Sequence, residues 1–309
     1  MVATPIKSQW YWIAFGCGGM SVLVFGFSGQ VARELARLAD ELTFSFVFLG
    51  RQDADLSFPD KCAEVILTRK PTAVINAAAW TAVDAAETSE AEASVVNGEA
   101  PGAMARACAK LSIPFLHISS DYVFDGSGDS PWRPNDPVRP LNAYGRSKLL
   151  GETLVQDSGA RAIIIRTSWV FSAHGSNFMK TMLRLGAERN LLNVVGDQVG
   201  GPTSARSIAR SVATLTEDLL NGGAGGIFHF SGSPDVSWAE FARAIMDLAE
   251  LPCEIRPILT AGYPTAAPRP LNSRIECRSL LDAYGISRPA WPLELEHILT
   301  ELKEKSNAT

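Results

Sequence analysis

Between residues 22 and 166 the chain repeats one figure: a short, continuous apolar run, then a longer stretch with helical spacing. The runs are V-L-V-F-G (22–26), F-S-F-V-F-L-G (44–50), T-A-V-I-N (72–76), I-P-F-L-H-I-S (113–119) and A-I-I-I-R (162–166). A strand that is apolar on both faces has no face to give to water, so it must be covered on both sides, and the intervening helices supply that cover. The expected fold is α/β, a Rossmann-type doubly wound parallel sheet. Beyond about residue 170 the rhythm loosens. Helical patterns near 175–188, 203–220 and 237–250 alternate with short strands and with Pro-rich loops such as Y-P-T-A-A-P-R-P (263–270), which indicates a smaller C-terminal lobe. Ligands in such sheets sit at the carboxyl ends of the strands, often against a second lobe.

Composition narrows the partners. A net charge of −5 over 309 residues offers no general attraction to nucleic acid or to an anionic membrane. The five cysteines are odd in number and scattered, with no C-x-x-C spacing, which suits a reducing cytoplasm and no structural zinc. His117, His174, His229 and His297 are equally dispersed, so no metal site is expected. Residues 1–19 contain the apolar W-Y-W-I-A-F, but the run is short and no small-x-small cleavage site follows it. They are read as a loosely ordered extension. No stretch approaches the ~20 apolar residues of a membrane span, and a cytoplasmic location is expected.

After the first apolar run comes G-F-S-G-Q-V-A (26–32). Gly26 allows a tight turn, and Gly29, with Ser28, Gln30 and Val31 around it, lets the backbone approach a pyrophosphate at the next helix's N-terminus. Ala32 stands where a third glycine often helps the helix pack on the strand. A plain strand-to-helix turn would look similar, but its place after the first strand favours dinucleotide binding. The expected division is therefore an extension at 1–19, a dinucleotide-binding domain at 20–170, and a mainly substrate-binding lobe at 171–309 with some segments returning to the first domain. The second strand ends at Gly50 and Arg51, where an acidic residue would repel a ribose 2′-phosphate and a guanidinium suits one. NADPH is the expected cofactor. NADH stays possible, because Asp53 and Asp55 lie close by.

The fourth strand runs into I-S-S-D-Y-V-F-D-G (118–126), and about two dozen residues later N-A-Y-G-R-S-K-L-L (142–150) opens a helix. Tyr144 and Lys148, four apart, are neighbours on that helix whether or not they do chemistry. Ketone reduction leaves negative charge on oxygen and needs a proton as that charge appears. A phenol supplies it, and an ammonium one turn away is expected to lower the phenol's pKa toward working pH. Ser120 would hold the carbonyl oxygen. Asn97, within S-V-V-N-G-E-A-P, either anchors a proton-relay water or faces outward on its helix.

These segments resemble the extended short-chain dehydrogenase/reductase superfamily, and within it the dTDP-4-dehydrorhamnose reductase family. The resemblance runs from about Ser21 to the C-terminal region through V-F-G-F-S-G-Q-V, N-A-A-A-W-T-A-V-D-A-A-E (76–87), S-S-D-Y-V-F-D-G, the Tyr144 to Lys148 motif, R-T-S-W-V-F (166–171), N-F-M-K-T-M-L-R-L (177–185), D-Q-V-G-G-P-T (197–203) and R-P-L-N-S-R (269–274). It implies NAD(P)H-dependent reduction of a dTDP-linked keto-sugar. Tyr144 is then the proton donor, Lys148 its partner, and Ser120 occupies a position more often threonine. Gly29, Gln30 and Val31 would hold the pyrophosphate, Asp55 and Leu56 flank the adenine, and Ala77, Ala79, Trp80 and Thr81 line the cofactor. Ser120, Asp121, Tyr122, Trp169 and Asn177 would contact the sugar nucleotide, with core packing the alternative for Trp169.

Arg269 and Arg274 are candidates for the substrate diphosphate, since arginine matches phosphate geometry; either alternatively serves a surface ion pair. Some relatives dimerise through magnesium held by carboxylates, and Glu34 lies where one would be. Arg206 stands where another is expected, and a cation there opposes a bound cation. The expectation is a monomer or a metal-free homodimer. Two other readings share the fold: an NADP-binding regulatory subunit without turnover, and a nucleotide-sugar epimerase or dehydratase.

Overall fold

The computed structural model describes residues 20–307, so the expected extension at 1–19 lies outside the described residues. The central sheet has six parallel strands: β1 (Ser21–Phe25), β2 (Ser45–Leu49), β3 (Ala73–Asn76), β4 (Phe115–Ser120), β5 (Ala162–Thr167) and β6 (Gly226–Phe230). Their order is β6-β5-β4-β3-β1-β2, so the chain reverses direction across the sheet between β1 and β3. That reversal opens a crevice at the strands' carboxyl ends. The doubly wound α/β fold expected from the apolar runs is present.

Alternation within the strands shows why both faces had to be apolar. Val22 and Val24 join Ile163 and Ile165 in one core, closed by the helices Gln30–Arg37 and Ala205–Leu220. Leu23 and Phe25 join Ile164 in the opposite core, closed by Pro59–Arg69, Ala100–Leu111 and Ala143–Gln156. Each such side chain, fully buried, contributes ~1.5–3 kcal/mol of transfer free energy, so neither face can be left open.

β6 is absent from the five runs read in the sequence. It is G-I-F-H-F, short and interrupted by His229, yet that histidine is fully buried because it finds Trp132 O at 3.1 Å and Arg166 at 3.3 Å. A separate core gathers Phe171, Met179, Met182, Phe241, Ile245, Trp291 and Leu295. It is formed by the helices Phe178–Glu188, Trp238–Ala249 and Trp291–Asn307, with the parallel pair Leu191–Val195 and Glu254–Ile258. Cys62, Cys108, Cys253 and Cys277 are buried free thiols. Among the described residues no helix is long and apolar enough to cross a membrane.

Candidate active site

One cleft of about 1930 Å³ runs along the carboxyl ends of β1 to β5 and is bordered by the second core's segments. At its first end lies the turn after β1. Gly26 has φ +116°, which an L side chain rarely adopts, and a Cβ there would lie 3.2 Å from the Ala77 backbone. Gly29 is the N-cap of Gln30–Arg37 with no side-chain cap, so the helix's first amides stay available to an anion. Gly26, Ser28, Gly29, Gln30, Val31, Ala77, Ala79 and Thr81 all line the cleft. Trp80 stands just off it, donating its indole N–H to Ala82 O at 3.0 Å.

The loop after β2 sorts its charges. Asp53 accepts the Gly50 amide at 2.9 Å and Asp55 accepts the Ser57 amide at 2.9 Å, so both carboxylates are engaged with their own loop. The Ser57 amide holds Asp55 below the usual carboxylate range. Arg51 is exposed and meets Asp55 loosely, at 3.9 Å. Gly50, Arg51, Asp55 and Leu56 border the cleft, which leaves a guanidinium rather than a carboxylate to meet a ligand there. These features fit a 2′-phosphorylated dinucleotide: a cradle that a Cβ would fill at Gly26, open helix amides, and a loosely held cation.

The helix Ala143–Gln156 carries two of the catalytic candidates, Tyr144 and Lys148. Its start is fixed by Asn142, whose side chain accepts from Gly145 N at 2.8 Å, and by Glu87, which accepts from Ala143 N at 2.8 Å. A cap of this type contributes about 1 kcal/mol. Tyr144 therefore sits in a pinned first turn, its ring edge-on to Tyr122 with centroids 5.4 Å apart. Lys148 is buried one turn on and donates from Nζ to Ile118 O at 2.7 Å. Ser120 donates to Asp121 at 3.1 Å and accepts from Tyr122 N at 3.2 Å. Tyr144, Lys148, Ser120, Asp121, Tyr122 and Trp169 all border the one cleft.

Burial sets the protonation states. It pushes the Tyr144 phenol up to about 12, against an opposing hydrogen bond with Ser120. This differs from the lowered phenol pKa expected from the sequence. Desolvation outweighs any help from the amine, which is itself pushed down to about 8 by burial. Burial also lifts Asp121 to about 6, although Ser273 and Ser120 hydrogen bonds oppose it. A phenol with a high pKa is fully protonated at neutral pH. It suits delivery of a proton to an alkoxide, which is far more basic.

Other sequence candidates take different places. Asn97 is 1 % exposed, not on the helix surface, within a single π-helical turn, Val95–Glu99. Its side chain accepts from Trp80 N at 2.8 Å and donates to Trp80 O and Ser147 Oγ, so both amide hydrogens are used. Asn177 lines the cleft but caps Phe178–Glu188 and donates to Gln30 Oε1 at 2.9 Å, tying the second lobe to the phosphate turn. Trp169 adopts φ +50° and stacks on Trp238 with centroids 3.5 Å apart, lining the cleft and packing at once. Arg269 pairs with Asp84 at 2.7 Å, and Arg274 donates to Asp129 O and Asn272; neither lines the cleft. Glu34 is buried beside Arg37 and His174, and Arg206 is exposed. Among the described residues no group of three or more His, Cys, Asp or Glu is placed to hold a metal ion.

Sequence reasoning missed Trp238, Gly145 and Gly151. A Cβ on Gly145 would lie 2.2 Å from Tyr122 O, and one on Gly151 2.2 Å from Asn97 O. Two glycines seven or fewer residues from a catalytic-type tyrosine, inside a helix that disfavours glycine, were the available signal.

A family model described as RmlD substrate binding domain matches residues 20–304. The chain is 45 % identical to a dTDP-4-dehydrorhamnose reductase of Burkholderia thailandensis, over 88 % of this chain and 95 % of the relative. It is 37 % identical to the Escherichia coli K12 protein of that name, over 92 % of this chain and 98 % of the relative. Among solved structures, a dTDP-4-dehydrorhamnose reductase of Clostridium acetobutylicum superposes with TM-score 0.87 at 33 % identity, covering 92 % of this chain and 100 % of that one. The Bacillus anthracis reductase, solved in complex with NADP, superposes with TM-score 0.84 at 30 % identity, covering 92 % and 99 %. The chain belongs to the dTDP-4-dehydrorhamnose reductase family of oxidoreductases.

Proposed function

We propose that this chain reduces the C4 ketone of dTDP-4-dehydro-6-deoxy-L-mannose to dTDP-L-rhamnose, using NADPH. The observation that carries the reading is that Tyr144, Lys148 and Ser120 border the same cleft as the glycine turn and Arg51. Gly26, Gly29, Gln30 and Arg51 would hold NADPH, which would supply the hydride. Ser120 orients the ketone oxygen. Tyr144 gives its phenolic proton to that oxygen as charge develops, and Lys148 stabilises the phenolate left behind. Asp121 and Trp169 line the sugar-nucleotide side. The direct test is oxidation of NADPH at saturating keto-sugar nucleotide; no turnover would leave the regulatory-subunit reading.

Arg51→Asp is expected to shift cofactor preference from NADPH toward NADH. A salt-bridge-type contact to a phosphate contributes about 1.5–3 kcal/mol, so the ratio of kcat/KM values should move by ten-fold or more. An unchanged ratio would remove Arg51 from phosphate recognition.

The pH profile follows from Lys148. Its amine, lowered to about 8 by burial, is charged below that pH and neutral above it. The charged form holds the phenolate, so kcat/KM for reduction should fall as pH rises through about 8. Lys148→Arg, charged throughout, should lose that limb even though its overall rate is lower. A wild-type profile flat from pH 7 to 9 would exclude the amine as the titrating group.

A further inference from the structure

Behind the amine lies a buried ion pair that the reaction as described does not use. Glu152 is 1 % exposed and Arg166 2 % exposed. Arg166 donates from Nε to Glu152 Oε1 at 2.9 Å and from Nη2 to Oε2 at 2.7 Å, a two-pronged contact. Ser119 Oγ donates to the same carboxylate at 2.5 Å. Ser119 and Arg166 are partners across β4 and β5, so one sheet position presents both groups to Glu152. Arg166 is held in turn by Pro134 O at 3.0 Å and lies over the Phe124 ring at 5.0 Å.

The register is the informative part. Lys148 and Glu152 are one helical turn apart on the helix that bears Tyr144. Lys148 reaches Ile118 O, Glu152 reaches Ser119, and the next residue of β4 is Ser120. Successive β4 residues thus fasten successive rungs of the helix under the cleft. A bare buried ion pair is weak evidence for stability, since desolvation can exceed its attraction. Its retention here, one turn from the amine, calls for another role.

We propose that Glu152 is a positioning residue for Lys148: anchored by Arg166 and Ser119 one helical turn from the amine that Ile118 O holds in place, its carboxylate keeps that amine charged beneath the cleft. This rests on the NADPH-dependent reading above. The charged and titratable groups around the amine are few. Glu152, one turn along the same helix, raises its proton affinity against burial. His117 of β4 is fully buried and held neutral, first by burial and then by the amine's own charge. Arg166 of β5 turns its donors to Glu152, Pro134 O and His229, and His229 of β6 is lowered to about 3 by burial, hence neutral. Tyr144 and Asp121 border the cleft above. Glu152 is therefore the anion that acts on Lys148 from within the helix.

The experiment follows NADPH binding by nicotinamide fluorescence from pH 6 to 9.5, with no sugar present, beside kcat/KM for reduction. Glu152→Gln leaves the Arg166 charge buried without its partner, a loss large enough to threaten folding, so the deciding protein is Glu152→Met with Arg166→Met, which removes both charges together. Its alkaline limb should still move down by about one pH unit, the lower end of what an opposite charge nearby contributes, because Glu152 raises the amine's proton affinity while Arg166 does not act on it comparably. Ser119→Ala keeps the charge and should leave the limb where it is. An unmoved limb in the paired variant overturns the proposal, as does an equal shift in Ser119→Ala, which would trace the effect to packing. Wild-type protein that does not bind NADPH at all would overturn the cofactor reading and this proposal with it.

Discussion

Tyr144→Phe is expected to lower kcat by about 10²- to 10⁴-fold, the usual worth of a positioned general acid, while NADPH binding stays within a few-fold of wild type. The substitution removes one oxygen and keeps the ring. Edge-on packing against Tyr122 survives, and so does the pinned helix start at Asn142 and Glu87. Nothing that holds the phosphate turn is touched, since Gly26, Gly29 and Gln30 belong to other elements. The result should appear in kcat with little change in KM, because the lost interaction forms only as the alkoxide develops. Near-normal turnover would move the proton donor elsewhere. Asp121 would be the first suspect, since burial lifts it to about 6 and it sits beside Ser120 in the same cleft.

The same burial that makes Tyr144 a reluctant acid makes Lys148 a reluctant cation. Both shifts favour the neutral forms, so at neutral pH the resting pair is a phenol beside an ammonium that loses its proton near 8, rather than a phenolate and an ammonium. At neutral pH the phenol therefore rests in the protonated form that a donor needs, whereas the phenolate that would act as base in the oxidation is populated only at higher pH. That asymmetry suits reduction better than the reverse oxidation. The kcat/KM profiles in the two directions test it, because oxidation should need a higher pH.

Most of the scaffold was legible because its signal is local. Five strands announced themselves as unbroken apolar runs, and the glycine turn followed the first of them. β6 was not legible, since only Ile227, Phe228 and Phe230 mark it as apolar, and the burial of His229 depends on Trp132 and Arg166 from 97 and 63 residues away. Asn97 shows the same limit. Its type and position suggested a water anchor or a surface residue, but the Trp80 backbone and Ser147 reach it only in the folded chain. The direction of the Tyr144 shift was misjudged for a related reason: spacing reveals the neighbouring amine and says nothing of how much water has been removed. Asp53 and Asp55 likewise looked like rivals to Arg51 until their hydrogen bonds to their own loop were seen.

Gly151→Ala is expected to be among the most damaging single substitutions in the protein, against its intrinsic tendency. On an exposed helix the change would stabilise by ~0.8–1 kcal/mol through helix propensity. Here the added Cβ would lie 2.2 Å from Asn97 O, a backbone atom inside the π-helical turn, which cannot rotate away. At Gly98, on the facing helix, the nearest atom is the far end of Leu150 at 2.6 Å, which can change rotamer. Overpacking costs about 1–3 kcal/mol and occasionally more, so a net loss of about 2 kcal/mol or more should appear for Gly151→Ala and a smaller one for Gly98→Ala. For a chain of 309 residues that is a fall of roughly 3 °C or more in melting temperature. The helix can relieve the clash only by moving off the Asn97 turn, and Lys148, Tyr144 and the Trp80 clamp move with it. Activity should therefore fall further than stability alone predicts, measured well below the melting point. A Gly151→Ala protein that melts higher than wild type would mean that propensity outweighs contact, and that the close approach of these two helices does not set the geometry of the cleft.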